Sequence, residues 1–392
     1  MWNHDAIIAW LGRKGRTFSE PLAFLNGFGD ALLAEGCHID RIRCGFGTIH
    51  PQMEIWSYLW KAGEGASVTG AEHGTRATEA YIGSPAEIVF KTGRSLRLNL
   101  QEIDRSEHHS VIGELIDAGF TDYIVMSMTF AVGSQNMLTF ASKDPAGFGP
   151  DAEAKFARII DFFTPIVEMH AVRRLATGLL DTYLGPRTGA RVLNGLIKRG
   201  DGEVIRAALG FSDLRDFTLL TETLSTEELL ESLNCYFETV EAAVLANGGE
   251  ILRFIGDAML IVFAPDGNES AEQVCQQALA AARQALSDMD HKNIQRDLQN
   301  QPQLRFGVGL HYGEVVYGNV GGQNRLDFTV MGVAVNRTAR LESLTKQTGR
   351  DLLMSDVFAA MVPDADEFIG KFAVKGVADE LPVHALIACP RS

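Results

Sequence analysis

Residues 202–392 predict an α+β fold built on a largely antiparallel sheet. Three observations carry that expectation. Strand-like and helix-like segments are mixed rather than strictly alternating, which disfavours a parallel doubly wound sheet. The amphipathic run Thr226–Ala246 ends at Asn247-Gly248-Gly249, a glycine stop of the expected kind. Directly after it, Ile251–Ile255 and Ala258–Phe263 read as a hairpin around Gly256-Asp257.

In chain order, the region to about Gly149 alternates strand-like and helix-like stretches, an α/β pattern. Ile39–Ile49 and Met53–Lys61 predict two strands joined around His50-Pro51. Tyr123–Phe130 and Asn136–Ala141 predict another pair, turned by Gly133-Ser134-Gln135. Phe148-Gly-Pro-Asp opens a long helix from Ala152 to about Leu184, with Asp151 as its cap. Phe156, Ile159, Ile160, Phe163, Ile166 and Val167 give that helix one apolar face, and Pro165 is expected to kink it. Two readings of its role stand: a buried spacer, or a dimer seam that carries a signal. Gly185-Pro186 breaks it, and a shorter helix is expected over Thr188–Ile197. The domains predicted are thus 1–150, a helical linker 151–201, and 202–392. In the last of these, Val204–Phe211, Leu304–His311 and Glu314–Gly318 read as strands, and Ser270–Ser287 and Val333–Lys346 as helices.

Composition narrows the function. With 392 residues, 46% apolar and 22% charged, the chain is ordinary globular material long enough for two domains. A formal net charge of −15 argues against a nucleic-acid groove and against docking on an anionic membrane. No apolar run reaches the length of a membrane helix, and Met1-Trp-Asn-His-Asp lacks the features of a signal peptide. Five scattered cysteines (37, 44, 235, 275, 389) form no CxxC pair, and reduced thiols in a cytoplasmic protein are expected.

The chemistry is expected at Asp213, in Gly210-Phe-Ser-Asp-Leu-Arg-Asp-Phe-Thr218, and at Asp257, in Gly248-Gly-Glu-Ile-Leu-Arg-Phe-Ile-Gly-Asp257. Taken singly, Asp213 reads equally as a helix cap and Asp257 as a turn residue. Together, two carboxylates on neighbouring strand ends suit a pair of Mg²⁺ or Mn²⁺ ions, because hard cations prefer oxygen. The amides of Leu214, Arg215 and Asp216, continuing to Phe217 and Thr218, are placed to cradle phosphates at a helix start. Asn336 and Arg340 lie four apart on one helix face. Arg340 offers a planar fork to charge building on an α-phosphate, and Asn336 can hold a ribose in line. Read alone, Arg340 is a solvated residue or a partner of Glu342.

These stretches resemble the catalytic domain of the class III nucleotidyl cyclases. FSDLRDFT, GGEILRFIGDAMLIVF, FGVGLHYGEVVYGNVG, LDFTVMGVAVNRTARLE and VKGVADELPV occur in the family's order over residues 204–387. The resemblance implies a ferredoxin-like fold, metal-binding Asp213 and Asp257, and a transition-state pair Asn336 and Arg340. It implies Thr329 as base reader and Lys375 as a phosphate contact. It also implies a head-to-tail homodimer whose chains share each active site, two metals per site, and ATP as substrate. Adenylyl-specific members carry Lys where this chain has Arg253, whose fork can donate to adenine N1 or guanine O6. The acidic residue usual in guanylyl members is absent there, so adenylate cyclase is the expectation. The rivals are a guanylate cyclase of the same fold and an inactive nucleotide-binding module. Asp216 stands where many members have Gly.

Residues 20–170 resemble a GAF-like sensor module, through TDYIVMSMTF, AVGSQNMLTFAS and DPAGFGPDAEAKFARIIDFF. The resemblance implies a regulatory domain with a small-molecule effector. His50, His108, His109, Cys37 and Cys44 have no metal-ligand spacing and are expected to be structural or surface residues. Trp56, Tyr58 and Trp60 alternate on one strand face, as core or as the lining of an apolar pocket.

Overall fold

A computed structural model describes residues 2–48, 53–196, 198–323, 325–363, 366–373 and 380–386. The chain divides into two compact units, Met1–Leu179 and Leu180–Ser392.

The first unit starts with α1 (His4–Arg13) and α2 (Pro21–Ala34), then β1 (Arg41–Gly47), β2 (Met53–Lys61) and β3 (Gly65–Glu72). There follow α3 (Pro85–Thr92), β4 (Leu96–Asn99), α4 (Ser110–Asp117), β5 (Asp122–Thr129) and β6 (Gln135–Ser142). Helix α5 (Ala152–Leu184) begins in this unit, with Pro165 inside it. The strands form one sheet in the order β3-β2-β1-β6-β5-β4, with every neighbouring pair antiparallel. Strand alternation gives the sheet two apolar faces. Tyr58, Trp60, Leu138 and Phe140 meet α1, α2 and the start of α5, whereas Tyr123, Val125 and Met137 meet α3 and α4. Tyr58 and Trp60 are therefore core residues, with Trp56 packed beside them. Cys37 and Cys44 are buried thiols, both pushed up to about 12 by burial, which makes them inert as ligands. His109 caps α4 and His108 bonds the Asp104 carbonyl, so both are structural; His50 lies outside the described residues.

In the second unit α6 (Pro186–Leu193) precedes β7 (Gly202–Leu214), α7 (Phe217–Thr223), α8 (Thr226–Ala246), β8 (Glu250–Ile255) and β9 (Ala258–Phe263). Then come α9 (Ala271–Leu298), β10 (Phe306–Gly321), β11 (Leu326–Met331), α10 (Val333–Thr348), β12 (Leu352–Ser355), α11 (Asp356–Ala359), β13 (Asp366–Phe372) and β14 (Leu381–Leu386). The sheet runs β13-β14-β12-β10-β7-β9-β8, and β11 pairs with the far half of β10. Only β10 and β12 run parallel among the described strands; the rest are antiparallel, so the unit is α+β as expected. Residue parity sorts the two faces. Ala208, Met259, Ile261, Phe263 and Val308 face α8 and α9, whereas Ala207, Leu209, Leu260, Val262 and Val315 face the other way.

Several boundaries differ from expectation. The two strands expected over 304–318 are one, β10, because β7 pairs with it without interruption from Gly202 to Leu214. Gly313 is no turn: a Cβ there would come 2.8 Å from Ala334, so this glycine serves close packing. Helix α9 runs eleven residues past Ser287, because Met289, Asn293 and Arg296 continue its buried face. Asn293 and Arg296 are polar yet satisfied, Asn293 by Leu304 and Arg296 by Pro302 and Ser232. The short helix is Pro186–Leu193 rather than Thr188–Ile197: Pro186 starts it, and Asn194 and Gly195 end it.

Candidate active site

Asp213 is the penultimate residue of β7, and its register partner on β9 is Ala258, the residue after Asp257. That pairing brings the two carboxyls together at one end of the sheet. Asp257 sits in the β8–β9 turn, its carboxyl held above the ordinary range by burial first and then by the charge and hydrogen bond of Asp213. Beneath them Ser212 and Tyr236 share a buried 2.7 Å hydrogen bond. Burial raises the Tyr236 phenol well above its ordinary value, and the nearby carboxylates raise it further.

Helix α10 closes the site from the odd-numbered face of β7. Lys346 Nζ lies 3.0 Å from Asp213 Oδ2. Its own pKa is raised, by that hydrogen bond first. One turn earlier Glu342 is buried, with its carboxyl pushed up to about 7 by burial and by Asp213. Close approach of α10 is made possible by Gly307, where a Cβ would strike Thr345 Oγ1 at 2.3 Å, and by Gly309, where it would strike the Glu342 amide at 2.4 Å. Lys346 was not flagged by the sequence, and Glu342 entered only as a partner of Arg340, because only the packing of α10 on β7 and β10 reveals their place in the site.

The same chain does not carry Asn336 and Arg340 to the carboxylates. Both are exposed on α10, and neither makes a hydrogen bond or ion pair with the described residues. Asn336 precedes Lys346 by ten residues, about 15 Å along a helix at 1.5 Å per residue. Glu342 is not the partner of Arg340: it faces inward, accepting from Thr345.

The expected phosphate cradle is narrower than the sequence implied. Leu214 is the last residue of β7, not the start of a helix. The Arg215 amide donates to the Arg305 carbonyl at 2.7 Å, and its guanidinium is held by Arg350 O and Asp351. Arg215 is thus committed to structure. Strand alternation turns the Leu214 amide to the opposite edge, the side of the β8–β9 turn. Phe217 and Thr218 open α7, whose first amides lack intrahelical acceptors. Asp216 precedes them with φ +59°, a left-handed conformation that suits glycine.

Thr329 is buried on β11, paired with Gly318. Two residues earlier on the same face, Asp327 forms an ion pair with Arg253 of β8. Both line an open cleft of about 620 Å³ that also includes Phe254, Ile255 and Arg325. Asp327 is a further residue whose role the sequence did not single out. Lys375 lies outside the described residues.

Two oxygen-bearing side chains at one point, with no third His, Cys, Asp or Glu grouped with them among the described residues, suit a cation whose other ligands come from phosphate and water. Mg²⁺ is bound in that manner.

Residues 203–362 match the family model "Adenylate and Guanylate cyclase catalytic domain". Adenylate cyclase 1 of Rhizobium meliloti is 32% identical over 186 residues, 46% of this chain and 27% of that protein. The adenylate cyclase of Anabaena cylindrica is 36% identical over 164 residues, 41% of this chain and 31% of that protein. The matched stretch therefore spans under a third of those relatives. Among solved structures, the adenylyl cyclase CyaB of P. aeruginosa shows a TM-score of 0.45 at 27% identity, covering 48% of this chain and 97% of that one. The guanylyl cyclase Cya2 shows 0.42 at 29%, covering 47% and 93%. The C-terminal half of the chain is a class III nucleotide cyclase catalytic domain. No helix among the described residues is long and apolar enough to cross a membrane.

Proposed function

We propose that the chain is an adenylate cyclase that works as a homodimer, converting ATP to 3′,5′-cyclic AMP and pyrophosphate. One observation carries the reading. Asp213 and Asp257 meet at one end of the sheet, while Asn336 and Arg340 stand exposed, with no partner among the described residues, nearer the start of α10 than Lys346. A second copy placed head to tail supplies to each carboxylate pair the amide and guanidinium that its own chain holds away.

Asp213 and Asp257 would hold Mg²⁺ or Mn²⁺, two per site, which when bound supply Lewis-acid activation of the ribose hydroxyl and neutralise the leaving phosphates. Asn336 holds the ribose so that O3′ is in line with the α-phosphorus. A bond forms from O3′ to that phosphorus as the bond to the β-phosphate oxygen breaks, and the hydroxyl proton leaves to solvent. Arg340 donates to the oxygens on which charge accumulates. Amides at Leu214, Phe217 and Thr218 are within the stretch that would meet the triphosphate, and Lys375 is a further candidate contact. Arg253 and Thr329 read the base. The first unit is proposed as a GAF-like regulatory domain with a small-molecule effector; its antiparallel six-stranded sheet, covered by helices on both faces, supports that reading.

The test mixes Asp257→Ala chains with Arg340→Ala chains. Each alone is expected to be inactive, and the mixture to regain part of the ATP-cyclising activity. No recovery counts against the shared site. A guanylate cyclase is the second reading, favoured by arginine rather than lysine at position 253, whose fork can donate to guanine O6. Turnover of ATP and GTP side by side decides between them.

A further inference from the structure

Outside the carboxylate cluster, the second unit contains a buried polar junction with no part in the chemistry above. Glu250, the first residue of β8, is 2% exposed. Its Oε1 accepts from the Thr188 amide at 3.0 Å, and its Oε2 accepts from the Tyr317 hydroxyl at 3.0 Å. The Thr188 and Tyr317 hydroxyls are 2.9 Å apart, which closes the triangle. Helix α6 has Gly185 as its N-cap and so no capping side chain of its own. Glu250 does that work from another element, satisfying an amide of the first turn. Gly185 is required there: its φ is +84°, and a Cβ would lie 2.5 Å from Glu250 Oε1.

The junction touches both strands that bear the base-reading residues. Glu250 precedes Arg253 by three residues on β8. Tyr317 on β10 packs edge-on against Phe328, with ring centroids 4.9 Å apart, and Phe328 lies between Asp327 and Thr329 on β11. From the other side, the Arg191 guanidinium of α6 covers the Tyr317 ring at 4.6 Å and pairs with Glu203 at 2.7 Å. Val192 and Leu196 pack on the same apolar cluster as Tyr317 and Phe328.

We propose that Glu250, Thr188 and Tyr317 are positioning residues that make α6 part of the base-recognition apparatus, fixing Arg253 on β8 and Thr329 on β11 in one mutual register. Buried polar groups need their partners to stay satisfied, so the triangle has one satisfied arrangement rather than a continuum. Displacing α6 removes the Thr188 amide from Glu250, and both strands lose their common anchor. The inference rests on the cyclase reading and deepens it: selectivity for the base depends on residues that never touch the nucleotide.

The experiment uses the full chain and measures KM and kcat for ATP and for GTP, with the thermal midpoint recorded for each variant. Tyr317→Phe keeps the ring on Phe328 but removes two hydrogen bonds; Thr188→Val keeps the amide bond and removes only the hydroxyl. Each is expected to raise the KM for ATP by roughly three- to tenfold, the worth of one hydrogen bond, and to narrow the ATP:GTP preference while kcat stays near that of the natural chain. The double variant is expected to be less than the sum, because the two hydroxyls share one contact. Glu250→Gln can still accept from the Thr188 amide and is expected to keep a near-normal KM. A lower thermal midpoint with unchanged KM and unchanged preference in both single variants reduces the triangle to mere structure and overturns the proposal. Failure of the underlying reading is separate: the unsubstituted chain would then cyclise neither nucleotide, and the positioning role would fall with it.

Discussion

Lys346 Nζ stands 3.0 Å from Asp213 Oδ2, across a separation of 133 residues in sequence. The lysine is half exposed, so the pair itself is worth little, roughly 0.5–1 kcal/mol. Its significance lies in what surrounds it. Asp257 and Glu342 each feel the charge of Asp213, and Lys346 is the cation that acts on all three. Lys346→Met should therefore destabilise the chain in EDTA by about that amount, and Mg²⁺ should raise its thermal midpoint more than it raises that of the natural chain. Equal Mg²⁺-induced shifts in the two proteins would show that the lysine does not share the cation's electrostatic role.

Glu342 gives the corner a pH dependence. Its carboxyl is pushed from an ordinary 4.5 up to about 7 by burial and by Asp213. The folded chain thus binds this proton more tightly than the unfolded chain. The stabilisation is complete below 4.5 and is lost as pH rises through 7, with a ceiling of roughly 3 kcal/mol. Glu342→Gln carries a permanently neutral side chain of the same shape. In urea unfolding with EDTA present, the variant should show a flatter stability profile over that window and should exceed the natural chain above it. Parallel profiles for the two would refute the assignment.

Asp216 holds φ at +59° in the bend between β7 and α7. Its contact with Arg305 is 3.6 Å long between side chains that are two-thirds exposed, too weak to compensate for strain. Asp216→Gly should be neutral or stabilising by up to about 1 kcal/mol, and Asp216→Val should cost more than about 1 kcal/mol. Thermal melts of the two variants check this, and a destabilised glycine variant would mean that the side chain does something beyond filling the bend.

How much of this was legible in sequence depends on whether the signal was local. Helix α8 was legible to its ends, because Ser225 with Glu228 makes a capping box at one end and Asn247-Gly248 closes the other. The β8–β9 hairpin was legible from Gly256-Asp257 between two apolar runs. The break expected between His311 and Glu314 is absent, because Gly313 there makes room for Ala334 and the strand runs on. Arg215 misled, since the Arg305 carbonyl that takes its amide is brought in by a distant strand. The roles of Lys346, Glu342, Asp327 and Glu250 were invisible for one common reason. Each acquires its role from a partner on another element, through register and helix packing that no short window contains.

Arg253 and Asp327 offer the sharpest test of substrate choice. The two side chains form an ion pair, and each is more than a third exposed toward the cleft they line. With one edge of its fork held by Asp327, Arg253 has fewer ways to meet a base than a free arginine. Adenine presents a ring nitrogen acceptor beside an amino donor, whereas guanine presents a carbonyl beside an N–H donor. An anionic carboxylate next to the arginine accepts from an amino group and repels a carbonyl oxygen, which favours ATP. Asp327→Asn replaces that charge with a group able to donate to the guanine carbonyl and releases the arginine fork. The ATP:GTP ratio of kcat/KM should fall by roughly tenfold, mainly through improved use of GTP. Arg253→Lys, with its single compact charge still opposite Asp327, should keep the preference for ATP. A ratio that does not move in Asp327→Asn, in a chain that still cyclises, would place base selection elsewhere in the cleft and leave the ion pair as a clasp between β8 and β11.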